Sequence, residues 1–201
     1  MDADVVRQLV SSALAVDGPS GKGRLASDPR ATMFRPGGEL PGGIVLGRFD
    51  AFPHPGASFY VGIVDRQVFY LTETPEAFVA MVRASGLRIG APEVAIAMAR
   101  AYIETTRSMR EFGRVVDRPQ DLTWPAPRSP EHEHAIAEAI ARLRTLIRPP
   151  AFEAVGDGHK VTLFVLRGSV LERRTLTISR DGDITERVEQ VESGLPTPIT
   201  I

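Results

Sequence analysis

Residues 160–191, KVTLFVLRGSVLERRTLTISRDGDITERVEQV, carry the clearest secondary-structure pattern in the chain. Residues 160–166 place apolar side chains on both sides of an extended chain, which is typical of a strand buried on both faces. Residues 171–179 alternate between apolar and polar side chains, as a strand with one buried face does. The Asp181-Gly182 pair then favours a hairpin turn, and residues 184–191 give a further strand. The stretch therefore predicts a three-stranded antiparallel meander with its first strand at the centre.

Three helices are predicted by a shared start in which proline is followed by glutamate. Proline suits the first position of a helix because its missing N–H would have no partner there, and glutamate meets the positive end of the helix dipole. These starts and their stop signals predict helices over residues 75–84, 92–110 and 130–148. We expect the last helix to pack on one face of the meander.

Shorter elements are predicted in the first part of the chain. Residues 2–16 repeat apolar side chains at helical spacing and predict an amphipathic helix. Residues 44–49 and 112–116 predict short strands, and residues 59–71 predict a hairpin around Asp65-Arg66-Gln67. The resulting fold class is α+β, with helices packed on antiparallel sheets.

The composition changes near residue 58 and predicts a division there. Residues 1–58 comprise the first helix and a segment rich in glycine and proline, which we expect to wrap the surface. Residues 59–201 form the predicted α+β domain. A weak repeat at an offset of 40 residues aligns Glu93 with Glu133, although alanine-rich helices also produce such matches by chance. The alternative organisation divides the second region into two helix–strand halves, residues 59–128 and 129–201.

The order of elements in residues 130–192, one helix followed by a meander, resembles that of cystatin-like and NTF2-like α+β domains. In those domains a helix packs across a curved sheet. The resemblance is one of pattern and carries no motif, so no functional residue comes with it. The NTF2-like alternative implies a pocket between helix and sheet, in which one buried Asp, Glu or His acts as a base.

Composition excludes several classes of function. The chain has 201 residues, of which 24 are basic and 25 acidic, and it has no cysteine. Thiol catalysis, disulfides and cysteine zinc sites are therefore excluded, and nucleic-acid binding lacks its usual basic excess. The N-terminus lacks the basic segment of a signal peptide, and no apolar stretch approaches the roughly 20 residues of a membrane span. We expect a soluble, cytoplasmic protein that binds neither nucleic acid nor membrane, with a composition typical of a GC-rich bacterial genome.

The segment VDGPSGKGRLA, residues 16–26, includes Asp17-Gly-Pro-Ser-Gly21, which resembles the opening of the phosphate loops of nucleoside monophosphate kinases, although the continuation is too short. A Walker A loop reads G-x-x-x-x-G-K-[ST] and follows a strand. Counted from Gly18, the lysine position holds Arg24 and the hydroxyl position holds Leu25, which cannot ligate Mg²⁺. We therefore expect a mobile glycine-rich turn without nucleotide binding, and we expect alanine at Lys22 and Arg24 to leave folding unchanged.

One cluster has the spacing of metal ligands. Glu131, His134 and Glu138 fall at i, i+3 and i+7 of a predicted helix and so share a face. Glu-x-x-His is a ligand pair in di-iron bundles, but those need it on two helices. The sequence holds no second Glu-x-x-His, so we expect neither a metal nor another cofactor. The alternative is a mononuclear site at Glu131, His134 and Glu138 with a ligand from elsewhere, such as His54 or His159.

Three residues are candidates for acid–base catalysis. His54 lies between two prolines that fix its backbone, and a rigid histidine in a loop suits a general base. Asp65 and Asp157 are further candidates for the base of a pocket. The alternative is that all three are ordinary surface residues, and no G-x-S-x-G nucleophile elbow accompanies them.

Arginines recur in the meander and are candidates for binding. If Arg173 shares a face with Thr175 and Thr177, that face is polar and could receive an anionic partner. Arg174 and Arg180 are the other candidate binding residues. The alternative is a solvated face whose charge is offset by neighbouring glutamates.

Two function hypotheses follow from these observations. The first is a non-catalytic binding or assembly protein that acts through protein–protein contacts or self-association, because the charge is balanced and no catalytic constellation stands out. The second is a small-molecule-binding protein or enzyme with a pocket between helix and sheet. A closed helix–sheet interface favours the first, and a cavity of roughly 300 Å³ with convergent polar groups favours the second.

Overall fold

The structure is a computed structural model that describes residues 3–16, 18–19, 21–34, 40–51, 54–122 and 124–196. Its helices are α1 (Ala3–Val16), α2 (Lys22–Ser27), α3 (Pro75–Ala84), α4 (Pro92–Thr106) and α5 (Pro130–Leu146). Its strands are β1 (Thr32–Phe34), β2 (Val45–Asp50), β3 (Phe59–Val64), β4 (Gln67–Tyr70), β5 (Gly113–Val116), β6 (Ala151–Val155), β7 (Gly158–Arg167), β8 (Val170–Ile178) and β9 (Ile184–Glu192). No helix in these ranges is long and apolar enough to cross a membrane.

The strands form two antiparallel sheets, which confirms the predicted α+β class. Sheet 1 has the order β1-β2-β3-β4, and sheet 2 has the order β5-β7-β8-β9. β6 also pairs with β7 and lies end to end with β5, since Val116 pairs with Phe164 and Ala151 pairs with Thr162. β7 is therefore central, as the sequence predicts, and β9 forms the other edge of sheet 2.

The helices and sheets stack in five layers, which are joined by three apolar clusters. Val10 of α1 packs on Phe59 of sheet 1 in the first cluster. Met98 of α4 belongs to the second cluster, which fills the space between the sheets and includes Leu163 of sheet 2. Leu143 of α5 packs on the far side of sheet 2 in the third. The layer order is therefore α1 with α2, sheet 1, α3 with α4, sheet 2, and α5.

The composition of α4 explains its place between the sheets. A helix that is apolar around most of its circumference is buried on several sides. The buried side chains of α4 are Ala95, Met98, Ala99, Ala101, Tyr102, Ile103 and Thr105. Many of them are small, so that both sheets can approach the helix closely.

The weak sequence repeat corresponds to two helix–strand units around β7. α4 is followed by β5 and α5 is followed by β6, and both strands pair with the same edge of β7. The two helices cover opposite faces of sheet 2. The proposed divisions at residues 58 and 128 stay predictions.

α4 is shorter than predicted and ends at Thr106, because Arg107 has an extended backbone with φ −70° and ψ 159°. The hydroxyls of Thr105 and Thr106 donate to carbonyls one turn earlier. The carbonyl of Thr106 accepts the backbone N–H of Glu73 at 3.1 Å. α4 thus ends at a contact with the β4–α3 connection. The spacing of apolar residues in the sequence does not predict this contact.

The prediction of a mobile glycine-rich turn after α1 is wrong, because residues 22–27 form α2. Gly21 precedes the helix with φ 82°, a conformation that glycine adopts without strain. Lys22 donates from Nζ to the carbonyl of Ala57 at 2.6 Å and lies 5.3 Å from the ring centre of Phe59. Lys22 therefore anchors a neighbouring turn. The expectation that alanine at Lys22 and Arg24 leaves folding unchanged stays a prediction, to which this contact adds a loss of stability.

We expect Lys22→Ala to lower the free energy of unfolding by about 1–2 kcal/mol, because it removes a charged hydrogen-bond donor and a cation–π contact. Arg24→Ala is the matched control, since Arg24 is exposed two residues further along the same short helix. The control should change stability by less than about 0.5 kcal/mol. Urea denaturation measures both, and equal stability of the two variants would contradict the anchoring role of Lys22.

Candidate functional site

Sheet 2 is covered unequally on its two faces. The inner face, towards α4, carries Val161 and Leu163 and is buried in the second cluster. The outer face is covered by α5 only at one end, where Leu143 packs against Phe164 and Leu171. Towards the other end of the strands the outer-face side chains become polar, and α5 does not cover them.

The uncovered outer half of sheet 2 forms a groove of about 530 Å³, named here the open face. Its lining residues are Lys160, Thr162, Arg173, Thr175, Thr177, Thr185, Glu186, Arg187 and Glu189. The strand register places several of them in rows across the sheet, because directly opposite residues of an antiparallel pair share a face. The first row is Lys160, Thr177 and Thr185, and the second is Thr162, Thr175 and Arg187.

The charged groups of the open face are partly paired. Arg173 donates from one guanidinium nitrogen to both carboxylate oxygens of Glu189, at 2.8 and 2.7 Å. This hydrogen bond holds the pKa of Glu189 below its ordinary value. Lys160 lies 3.5 Å from the carboxylate of Glu153. Within the described residues Arg187 makes no hydrogen bond or ion pair, so its guanidinium remains available to another molecule.

The threonines of the open face also have unused hydrogen-bonding capacity. A hydroxyl can donate one hydrogen bond and accept two. The side chains of Thr162, Thr175, Thr177 and Thr185 have no hydrogen-bond partner in the part of the chain that the structure describes. The open face therefore offers a flat array of donors and acceptors with one free cation.

A second cavity, of about 260 Å³, lies between the C-terminal end of α4 and the inner face of sheet 2. Its apolar walls include Tyr102 and Val165, and its polar lining includes Arg107, Arg174 and Glu186. Glu186 thus lines both this cavity and the open face.

A buried carboxylate lies beside the second cavity. Glu172 accepts from Arg167 Nε at 2.8 Å and from two nitrogens of Arg174 at 2.9 and 2.6 Å. Burial acts to raise the pKa of Glu172, but the hydrogen bonds from both arginines outweigh it and hold the pKa below its ordinary value. Arg174 also contacts Glu186 at 2.9 Å, so the pairs form a continuous charged network.

A further polar group lies where the second cavity meets sheet 1. The hydroxyl of buried Tyr60 donates to the carboxylate of Glu104, and the guanidinium of Arg107 lies 5.8 Å from the tyrosine ring centre. Burial, together with the negative charge of Glu104, raises the pKa of Tyr60 to about 12. The Nε of Arg107 is buried without a hydrogen-bond partner. It is an unused donor on a residue that lines the cavity.

The three candidate binding arginines lie in different places. Arg173 lies on the open face with Thr175 and Thr177, as the alternation predicts. Arg174 is on the opposite side of β8 and belongs to the Glu172 network. Arg180 lies in the β8–β9 turn, where its carbonyl accepts the N–H of Ile89 at 2.9 Å. The structure therefore does not bring the three side chains to one site.

The candidate catalytic residues also lie apart. His54 is exposed immediately before a short 3-10 turn. Asp65 occupies the predicted β3–β4 turn with φ 46°, followed by Arg66 with φ 70°, and so adopts a backbone that usually requires Asn-Gly. Asp157 lies in the β6–β7 turn of the other sheet. No described contact joins any two of these residues, and none of them lines the two cavities.

The candidate metal ligands begin α5. His134 lies 3.2 Å from Glu138, and both side chains are largely exposed. Glu131 accepts from the hydroxyl of Ser129, and this hydrogen bond lowers the pKa of Glu131. No group of three His, Asp or Glu side chains in the described ranges could hold a metal ion.

Sequence reasoning missed most of the open face. Lys160 and Thr162 lie in a stretch whose pattern is dominated by apolar residues. The pattern of residues 184–191 alone does not show which face of the sheet Thr185 and Arg187 share. Aligning β8 and β9 as an antiparallel pair around the Asp181-Gly182 turn would have placed Thr185 and Arg187 on the same face as Thr177 and Thr175. No family model matches the chain, and neither a curated protein nor a solved structure gives a significant match.

The Glu172 network predicts a pH-dependent contribution to stability. A carboxyl group whose pKa is depressed by folding stabilises the protein above its ordinary pKa of 4.5, and this stabilisation is lost as the pH falls through the folded-state value. We expect Glu172→Gln to lower the free energy of unfolding at neutral pH by about 1–3 kcal/mol, with a difference that narrows in acid.

Urea denaturation at neutral pH and in acid measures this difference. Glu153→Gln is the control, because Glu153 forms an exposed ion pair that should contribute less than about 1 kcal/mol. A Glu172→Gln variant as stable as the wild type at neutral pH would show that the two arginines do not favour the ionised carboxylate.

Proposed function

We propose that this chain is a non-catalytic binding or assembly protein that acts through the open face and the adjacent β9 edge. The observation that carries the proposal is the combination of an uncovered polar half-face and an unpaired edge strand on the same sheet. β9 has nine residues, all of them exposed or partly exposed. In the described part of the chain no strand pairs with its outer edge.

An unpaired edge strand supports recognition of an extended polypeptide. Its free backbone N–H and C=O groups can pair with an added strand, and neighbouring side chains then select the partner. On the open-face side of β9 these neighbours are Thr185, Arg187 and Glu189, with the threonines of β8 behind them. A partner strand would therefore find backbone hydrogen bonds at the edge and side-chain hydrogen bonds on the face.

The covered interfaces support a role in contacts rather than in chemistry. The second cluster, which lies between the two sheets and contains α4, consists of apolar side chains that are almost completely buried. The unpaired threonines and Arg187 lie on an open groove, which does not exclude water as catalytic sites commonly do. Hydroxyl groups and a guanidinium are suited to hydrogen-bonded recognition in such a place.

Affinity capture with the purified chain tests the proposal. We expect proteins retained by the wild-type chain to be lost when Lys160 and Arg187 are both replaced by glutamate, because the charges of two cations of the open face, of which Arg187 is unpaired, are reversed. The control is the double variant Arg24→Glu and Arg66→Glu, which reverses the same number of charges. Both residues are exposed and lie away from the open face, Arg24 in α2 and Arg66 in the β3–β4 turn of sheet 1. Retention of the same proteins by wild type and open-face variant, or of none by either, would contradict the proposal.

A second candidate function is binding of a small molecule in the second cavity, and the unpartnered Nε of buried Arg107 favours it. A small carboxylate is the matching ligand class, because its oxygens accept from a guanidinium. We expect such a ligand to raise the thermal denaturation midpoint of the wild type but not of Arg107→Gln. Equal midpoints with and without small carboxylates would exclude this candidate.

A further inference from the structure

The exposed edge strand carries a sequence that is complementary to itself. Residues 187–189 read Arg-Val-Glu and are flanked by Glu186 and Gln190. In a two-fold symmetric pair, residue i of one copy contacts residue j of the other and j contacts i. An axis through Val188 in an antiparallel pair therefore sets Arg187 of each copy opposite Glu189 of the other. It also sets Glu186 opposite Gln190.

We propose that a second copy of this chain pairs with the β9 edge, antiparallel and centred on Val188. The inference rests on the proposed function, because it names the partner of the same surface. The two opposite-charge pairs lie on the open-face side of the sheet, and the two Val188 side chains meet on the other side. Such cross-strand pairs stabilise a sheet when opposite charges or apolar groups face each other.

The side chains involved are available for this contact. Val188 is 50% exposed, so its side chain is accessible to a second copy. Arg187 has no hydrogen-bond or ion-pair partner among the described residues. Glu189 already accepts from Arg173, but a carboxylate has about four acceptor positions and can hold a second guanidinium. Glu172 does so in the same sheet.

Charge selects this register over its neighbours. An axis through Arg187 or through Glu189 would set that residue opposite its own copy and so juxtapose like charges. The register shift beside Gln190, where Glu172 pairs with Gln190 and Leu171 with Glu192, ends the regular edge. The regular pairing of β9 runs from Ile184 to Gln190, so all five residues of the proposed contact, 186–190, lie within it.

The pairing has a consequence for the open face. A two-fold axis perpendicular to the sheet keeps both outer faces on the same side, so the two open faces become neighbours on one continuous sheet. Charged residues on an edge strand ordinarily prevent pairing between copies. Here the charges are arranged so that they attract a second copy in one register. A single strand pair makes a small interface, and we therefore expect reversible association that depends on concentration.

Cysteine cross-linking tests the register directly, because the chain contains no cysteine. Cα atoms directly opposite in an antiparallel pair are about 4.5–5.5 Å apart, which is within the range of a disulfide. Val188→Cys should form a covalent dimer under mild oxidation at least about tenfold faster than Val155→Cys. Val155 is 43% exposed on β6, another edge strand, and so matches the accessibility of the test site. Equal rates for the two variants would overturn the proposed pairing.

Sedimentation of the charge variants tests the complementarity. Arg187→Glu and Glu189→Arg each turn two attractive pairs into repulsive ones, and each should raise the dissociation constant by about tenfold or more. An equal mixture of the two variants restores attraction at both positions and should associate within about threefold of the wild type. Circular dichroism confirms that each variant is folded.

Two results would overturn the self-pairing. One is a wild-type chain that stays monomeric over about a hundredfold range of concentration, and the other is a dimer that neither charge reversal weakens. A monomeric chain that still captures a protein through the open face would leave the proposed function standing and remove only the second copy as its partner.

Discussion

Burial of β7 on both of its faces is the constraint on which the rest of the structure depends. Its inner side chains, such as Leu163, require α4, and its outer side chains, such as Phe164, require α5. Each large apolar side chain buried in this way contributes about 1.5–3 kcal/mol. α4 covers the inner face along the length of β7 and also packs against sheet 1. α5 covers the outer face of β7 at one end only. Sheet 2 is therefore complete on one face and half covered on the other.

The polar part of the molecule is arranged around this asymmetry. Ion pairs on the open face, such as Arg173 with Glu189, are about half exposed and contribute little to stability. The carboxylate of Glu172 is nearly enclosed, and its removal takes a hydrogen-bonded partner from both Arg167 and Arg174, which keep only Glu111 and Glu186. Stability thus depends on the inner network, while the outer groups are free to exchange their partners. This division is what a binding surface requires, because recognition on the open face need not disturb the fold.

The sequence predicted the elements better than their contacts. Strong alternation and the Asp181-Gly182 turn were sufficient for the meander, and proline–glutamate starts were sufficient for three helices. β6 was missed because its five residues are all exposed and show no buried face. The role of Lys22 was missed because its partner, Ala57, is distant in sequence. Arg173 and Arg174 are adjacent in sequence but lie on opposite sides of β8, so a count of arginines could not define a site.

The central claim is that the unpaired edge of β9 is a binding surface. Amide hydrogen exchange of this strand at low and high protein concentration tests that claim most directly. Amides that face the open edge exchange quickly unless another strand pairs with them. If a second copy pairs there, exchange at residues 186–190 should slow as the concentration rises, while exchange in β7 should not change. If exchange in β9 is equally fast at every concentration, with or without added partner protein, the edge is a solvated boundary and not a binding surface.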